Sequence, residues 1–477
     1  MIVLALVVLL PAVLLFVTHR WADAQITESE PAPEAPAPIS EPTSVLTSPL
    51  FTMRRMSTML SRSMSVDAFR AEVEGFVPTL TDRSCVAVSV DGEPVASRNA
   101  DLAVIPASTQ KLLVAAVALD QLGESFTYTT RALGATAPAA GTIDGDIYLV
   151  GGGDPLLGSD WYPTSNMERY PVTSPTRLEA LADEIAGAGI TTVTGDVVGD
   201  ASRYDDEYFA PTWGPGVAGL EAGPYDALMA NDSRVLFEPL KANDPALGAA
   251  QEFARMLDER GVSVAGSAVA GTAPATAVEV ATIESAPLSD VVGEMLGNSD
   301  NNTAEMMVKE LGFDDTGIGT REAGLAVIER TLAGWSVDTA PMVFADGSGL
   351  SPENRATCTA LLSVLQRSEP DGPMGAGLPI AGQTGTLADI FVDHPIAGRL
   401  LGKTGTLSNP PFNQDPPGVK ALAGYVGVEG GGAVEYALVL NGPTISDQSE
   451  YRPVWNSLAD VLATYPQGPT PAELGVR

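Results

Sequence analysis

The chain reads as an α+β protein: a five-stranded antiparallel sheet with helices segregated against it, interrupted by inserted β-rich material. Three observations predict this. Two strand-like pieces stand near the front and three near the end. Between them, from about Tyr128 to 285, short strand-like segments alternate with Gly, Pro and Asp turns. From Pro287 onward helical patterns return. A chain of 477 residues can bury a large core and is expected to hold two or more domains.

Taken in order, Ile2 to Val17 is apolar and broken once, by Pro11. That is short for a spanning helix and suits a signal-peptide core, with Ala22-Asp23-Ala24 as a small-x-small cleavage pattern. No basic residue precedes the run and Arg20 follows it, so residues 1–24 read as a signal peptide or an uncleaved membrane anchor. Residues 25–65 form a Pro/Ser/Glu-rich linker, a solvated spacer outside the cytoplasmic membrane. Residues 66–127 begin the main domain. A helix is expected over 66–76, then a strand over Cys85–Val90 with Val86, Val88 and Val90 on one face. Asp91-Gly92 turns the chain, and Pro94–Ser97 returns. Ser108 caps a helical run from Thr109 to Leu122 that Gly123 stops.

Residues 128–285 are read as inserted β-rich domains, with strands at Asp146–Val150 and Val193–Val198 and one helix near Arg177–Ala188. Residues 286–465 resume the main domain with helices over 287–297, 303–311, 320–333 and 353–367. Ser351 and Pro352 supply the cap and first turn of the last. Gly398–Gly405 leads into the closing strands Ala421–Val428 and Val434–Asn441, joined through Glu429–Gly432. A helix over 451–463 and a tail, 466–477, finish the chain.

Composition narrows the function. A formal charge of −34 argues against nucleic-acid partners, since a polyanion would be repelled. Cys85 and Cys358 are the only cysteines and lack metal-ligand spacing; one disulfide and two buried thiols are both open. Histidine occurs only at 19 and 394, and lysine only at 111, 241, 309, 403 and 420.

These scarcities give weight to three short pieces: Ser108-Thr109-Gln110-Lys111, Ser299-Asp300-Asn301 and Lys403-Thr404-Gly405. Each alone is weak, yet two of the five lysines fall in them, and their order runs helix start, inter-helix loop, strand. A serine nucleophile needs a base. With His19 in the leader only His394 remains, so Ser-His-Asp chemistry is nearly excluded. Residues three apart on a helix share a face, which lets Lys111 reach Ser108. Burial and a second cation, Lys403, would each lower the Lys111 pKa and favour its neutral, basic form.

This is the Ser-x-x-Lys, Ser-Asp-Asn, Lys-Thr-Gly set of the serine penicillin-recognising superfamily. Within it the sequence resembles the low-molecular-mass class C penicillin-binding proteins, the D-Ala-D-Ala carboxypeptidase/endopeptidases. The likeness extends to Gly151-Gly152-Gly153-Asp154-Pro155, Gly195-Asp196-Val197-Val198, Asp346–Ser351 and the long stretch between Ser108 and Ser299. It covers roughly residues 66–465. The resemblance implies a penicillin-binding-protein/β-lactamase-like fold and an extracytoplasmic serine peptidase that trims peptidoglycan stem peptides through an acyl-enzyme. It implies β-lactams as inhibitors and neither metal nor organic cofactor.

By the same resemblance Ser108 attacks the carbonyl between the two D-alanines and Lys111 takes its proton. Ser299 relays protons and Asn301 bonds the substrate amide. Lys403 and Thr404 hold the terminal carboxylate, the N–H groups of Ser108 and Thr406 form the oxyanion hole, and Gly405 lets the substrate lie against the strand.

Other features read as structural. Gly382–Leu387 nearly duplicates Gly402–Leu407 but lacks the cation, so it is expected as a loop near the site. Gly151–Gly153 reads as a turn, Asp346–Ser351 equally as a lining of the cleft or as a turn with a helix cap, His394 as a loop residue, and Glu305 with Lys309 as a surface pair. A β-lactamase or esterase on the same scaffold and a non-catalytic wall-binding protein are the rival functions.

Overall fold

The computed structural model describes residues 14–21, 53–165, 172–214, 216–408, 417–428 and 432–474. The Ala22-Asp23-Ala24 pattern, most of the linker and the Glu429–Gly431 turn lie outside them. A small unit, Met1–Leu60 with Pro471–Arg477, carries a helix over 14–21. Among the described residues no helix is long and apolar enough to cross a membrane. The large unit is Ser61–Thr470.

Helix α1 (Met53–Phe76) leads to the hairpin β1 (Cys85–Val90) and β2 (Glu93–Arg98), then helix α2 (Gln110–Gln121). The next segment forms β3 (Thr129–Gly134), β4 (Thr142–Ile143), β5 (Ile147–Val150), β6 (Leu157–Gly158) and β7 (Thr176–Arg177). Helix α3 (Leu178–Gly187), β8 (Thr192–Val193), β9 (Val197–Asp200), helix α4 (Pro245–Glu259), β10 (Ser263–Val264), β11 (Ala268–Ala270) and β12 (Val278–Glu284) follow. The chain then builds helices α5 (Leu288–Asn298), α6 (Asn301–Thr316), α7 (Arg321–Gly334), α8 (Cys358–Gln366) and α9 (Pro373–Ala376). It closes with β13 (Leu400–Leu407), β14 (Gly418–Gly427), β15 (Ala433–Gly442) and α10 (Gln448–Ala463).

The front and back of the chain share one sheet in the order β13-β14-β15-β1-β2, antiparallel throughout. Strand β1 is buried on both faces, as its pattern requires. Val86, Val88 and Val90 enter a core closed by Phe69 and Val73 of α1 and Trp455 and Leu458 of α10. Cys85 and Ala87 enter the opposite core, with Leu112, Val292, Met307 and Leu361 from the helical layer. A disulfide joins Cys85 to Cys358 at the start of α8, tying sheet to helices.

The strands of the middle segment pair only with one another, as a mixed five-stranded sheet β11-β9-β5-β3-β12 and two smaller parallel sheets. Helices α3 and α4 supply Leu178, Leu181, Ile185, Phe253 and Met256 to their core.

Local expectations are corrected in five places. The helix expected over 66–76 begins at Met53, so α1 takes in the last part of the stretch read as linker. The expected strand Val193–Val198 is two strands in two different sheets. Asp146, whose Oδ1 accepts from the Asp196 N–H at 2.8 Å, fixes the step between them. Helix α4 was not foreseen, although Asp244 caps it through the Leu247 N–H and Pro245 starts it. The expected helix over 353–367 starts only at Cys358, capped by Thr357. Arg355 and Ala356 are extended instead, bonded to Val343 and Val104. Finally, Glu305 and Lys309 are no surface pair. Both are buried, and Lys309 binds Asp205 at 2.6 Å. The i, i+4 spacing fixes which residues are neighbours and says nothing about which face of the helix is covered.

Candidate active site

Ser108 sits in a single 3-10 turn, Ala107–Thr109, that runs into α2. Its hydroxyl does not cap the helix, contrary to expectation; Thr109 Oγ1 bonds the Pro106 carbonyl instead, at 2.6 Å. The turn is held in an unusual shape. Ala107 has φ +48°, a conformation L-residues adopt at a cost of about 1–3 kcal/mol. Two glycines clamp it: a Cβ on Gly349 would lie 2.0 Å from the Ala107 carbonyl oxygen, and one on Gly405 would lie 2.9 Å from that of Pro106. Gly405 therefore serves the packing of β13 against the nucleophile's own turn. Its missing side chain lets that turn approach the strand.

Lys111 is completely buried, one helical turn beyond Ser108. Its ammonium reaches Ser108 Oγ at 3.2 Å, Asn301 Oδ1 at 2.7 Å and the Ser348 carbonyl at 2.6 Å. Burial lowers its pKa to about 8, against the opposing pull of Asp300, Asp346 and Glu305. The Asp346–Ser351 loop supplies that third contact and, through Leu350, lines the cleft, while the helix that Ser351 was expected to cap starts later, at Cys358. Glu305 accepts the Ser348 N–H at 2.7 Å, while Asp346 accepts Gly349 N–H at 2.8 Å and Ser351 N–H at 2.6 Å. Buried beside Asp346, Glu305 has its pKa raised to about 7.

The second triplet forms the corner between two helices. Ser299 ends α5 in the left-handed region, at φ +61°, and Asp300 caps α6 through the Thr303 N–H. The corner turns Ser299 toward the third triplet: Lys403 Nζ donates to Ser299 Oγ at 2.8 Å and to the Thr404 carbonyl at 2.9 Å. Lys403 is also completely buried, and its pKa is pushed well below the ordinary lysine value by burial and then by the Lys111 charge. The repulsion between the two lysines thus appears at Lys403, whereas the charges that act on Lys111 are the three carboxylates and burial prevails over them.

Strand β13 is the sheet edge. The Gly402 N–H bonds the Pro379 carbonyl, away from β14. Because backbone groups alternate along a strand, the N–H of Thr406 faces that same outer edge.

Comparison with known proteins gives the family. Residues 78–238 and 228–465 match the D-Ala-D-Ala carboxypeptidase 3 (S13) family. The chain belongs to this family. It is 30% identical to a D-alanyl-D-alanine carboxypeptidase of an Actinomadura species, over 74% of this chain and 76% of that one. It is 29% identical to carboxypeptidase DacB of Mycolicibacterium smegmatis, over 93% and 92%. Among solved structures, penicillin binding protein 4 of Haemophilus influenzae superposes with a TM-score of 0.67 at 20% identity, over 82% of this chain and 99% of that one. That likeness supports the penicillin-binding-protein fold expected from the sequence.

The three triplets open into a cleft of about 480 Å³. Ser108, Ser299, Asn301, Thr404 and Thr406 line it, whereas the buried Lys111 and Lys403 stand behind its wall. Sequence reasoning missed several residues that line or brace it. Glu221, from the middle segment, accepts the Asn301 Nδ2–H at its carbonyl, 2.7 Å away. Trp213 from the same segment donates to Asp346 at 2.7 Å, bracing the loop under Lys111. Thr386, in the near-duplicate loop, bonds Thr404 Oγ1 at 2.8 Å. Lys420 and Arg452 line one end. His394 lies in a loop, 3.0 Å from Asp460, and does not line the cleft.

Proposed function

We propose that the chain hydrolyses the bond between the two terminal D-alanines of peptidoglycan stem peptides, through an ester on Ser108. The observation that carries this reading is the shared bonding of Lys111 Nζ to Ser108 Oγ and Asn301 Oδ1, with Lys403 on Ser299 beside it. In its neutral form Lys111 accepts the Ser108 proton as Oγ attacks the carbonyl carbon. The N–H groups of Ser108 and Thr406 hold the oxyanion. Ser299 passes a proton to the leaving nitrogen, the proton that Lys111 took from Ser108 makes good that loss, and D-alanine departs with both lysines as they began. Water then attacks the ester; Lys111, neutral again, takes its proton and returns it to Ser108 Oγ as the acid leaves. Asn301 binds the substrate amide, exchanging the Glu221 carbonyl for it. The Thr406 hydroxyl, and that of Thr404 once it exchanges Thr386 Oγ1 for substrate, meet the terminal carboxylate, over the positive potential of Lys403.

Membership of a cell-wall-acting carboxypeptidase family implies work outside the cytoplasm, and the Cys85–Cys358 disulfide suits an oxidising compartment. We further propose that residues 1–24 direct export, as a cleaved signal or a membrane anchor, that the stretch from 25 up to the start of α1 at Met53 forms a spacer, and that 128–285 are an inserted domain whose loops wall the cleft. β-Lactams present a reactive amide to the same groups and should acylate Ser108. Intact-protein mass spectrometry after benzylpenicillin treatment tests this: one added penicilloyl group on wild type, none on Ser108→Ala, together with D-alanine release from a pentapeptide. Equal labelling of both proteins, or label without peptidase activity and with sustained β-lactam turnover, would overturn it.

A further inference from the structure

A substrate that ends in a carboxylate calls for a cation whose protons reach the cleft. Of the five lysines, four have their protons committed elsewhere. Lys111 and Lys403 are fully buried and bonded within the site, Lys241 pairs with Asp232 at 2.7 Å, and Lys309 pairs with Asp205 at 2.6 Å. Lys420 differs. It lies on β14 directly opposite Thr406, lines the cleft and is only half-buried. Its ammonium donates to Thr406 Oγ1 at 3.0 Å and stands 4.4 Å over the Tyr451 ring. Arg452 lines the same end of the cleft, against the same ring.

Among the described residues no carboxylate pairs with Lys420 or Arg452. The chain as a whole carries 60 acidic residues against 26 basic ones. Such a chain repels an anionic substrate, and the cleft lining itself carries Glu221, Asp232, Glu294, Asp300 and Asp389, so the two cations at the Thr406 end are where a carboxylate can be held.

Resting on the carboxypeptidase reading, we propose that Lys420, backed by Arg452, is the cation that binds the substrate's terminal carboxylate, with the Thr406 hydroxyl between them. The hydroxyl chemistry fits. Because Thr406 Oγ1 accepts a proton from Lys420, its own O–H must point elsewhere, and a carboxylate oxygen in the cleft is the acceptor within reach. Lys403 is then left to serve Ser299, and the task of recognising charge passes from the motif lysine to a strand neighbour outside the three triplets.

The test compares two substrates, a peptide ending in D-Ala-D-Ala and the same peptide ending in D-alaninamide. Lys420→Met should lower kcat/KM on the carboxylate about ten- to a hundredfold, chiefly through KM, as expected for loss of a charge-assisted bond. The amide peptide should lose much less, so the preference for the carboxylate collapses. Lys420→Arg should keep most of that preference. If Lys420→Met folds poorly, Lys420→Gln provides the same comparison. Equal losses on both peptides, or an unchanged preference, would overturn the assignment. Wild-type enzyme that released neither product would overturn the carboxypeptidase reading itself, and this inference with it.

Discussion

Two hexapeptides of this chain, Gly382–Leu387 and Gly402–Leu407, differ only where Gln383 stands against Lys403. One is a loop and the other a strand. Gly382–Leu387 folds back on itself: the N–H groups of Gln383 and Thr384 share the Ile380 carbonyl, Gly382 N–H bonds that of Leu387, and Gly385–Leu387 forms a 3-10 turn. Gly402–Leu407 is extended because β14 pairs with it residue for residue, from Leu400 to Leu407. Nearly identical local propensities thus yield to the available partner. The side chain that differs has the opposite fate in each place: Gln383 is exposed, while Lys403 is sealed beneath Ser299. The copies still meet, through Thr386 and Thr404, so the loop copy forms part of the site without carrying its charge.

The largest break of this comparison is at the differing residue. Lys403→Met should slow acylation by benzylpenicillin about 10²–10³-fold, because Ser299 loses its donor and the site its positive potential. Gln383→Met, the same change in the loop copy, should stay within about threefold, as is usual for exposed positions. Stopped-flow acylation rates for the pair would decide; comparable losses would mean that the loop copy carries chemistry too. Next in size is Thr386→Val. Removing the partner of Thr404 should cost about two- to tenfold in kcat/KM for peptide, the range of one neutral hydrogen bond. Steady-state kinetics would measure it, and no change would mean that Thr404 is oriented without the loop.

Much of this was legible in the sequence, and the reasons are physical. The β1–β2 hairpin and the return of β13–β15 were readable because valines at 86, 88 and 90 alternate and Asp91-Gly92 forms a compact turn. The three triplets were readable because their residues are close in sequence and lysine is scarce. What was lost depends on contacts between distant segments. Nothing near Arg355 or Ala356 announces that Val343 and Val104 will hold them extended, so α8 was started too early. Nothing near Lys420 shows that it will face Thr406, nor near Glu221 that its carbonyl will meet Asn301. The burial of Glu305 was likewise invisible, since its role is to hold backbone N–H groups of a loop some forty positions away. Helix α4 is the exception. Asp244-Pro245 and Gly261 marked both of its ends, and only the β-rich character of its surroundings hid it.

The smallest expected effect concerns pH, and it separates buried from exposed charge once more. Lys111 titrates at about 8, so its neutral, proton-accepting form is scarce below that pH and dominant above it. Acylation should therefore rise through about pH 8 and level off. Asp300 is the strongest of the charges that raise the Lys111 pKa. Asp300→Asn keeps a side chain that can cap α6 but removes that charge, so the ammonium is less favoured and the midpoint moves to lower pH. At pH 7 the base would then be free more often, a gain in acylation rate of less than about tenfold unless the altered corner displaces Ser299. Gln383→Lys, which restores the missing cation to the loop copy, should leave the midpoint unmoved because solvent screens an exposed charge. A midpoint that moved up in Asp300→Asn would show that the profile reports some other group than Lys111. One that moved in Gln383→Lys would show that the loop copy sits in the field of the base, and that the two hexapeptides are less different than their burial implies.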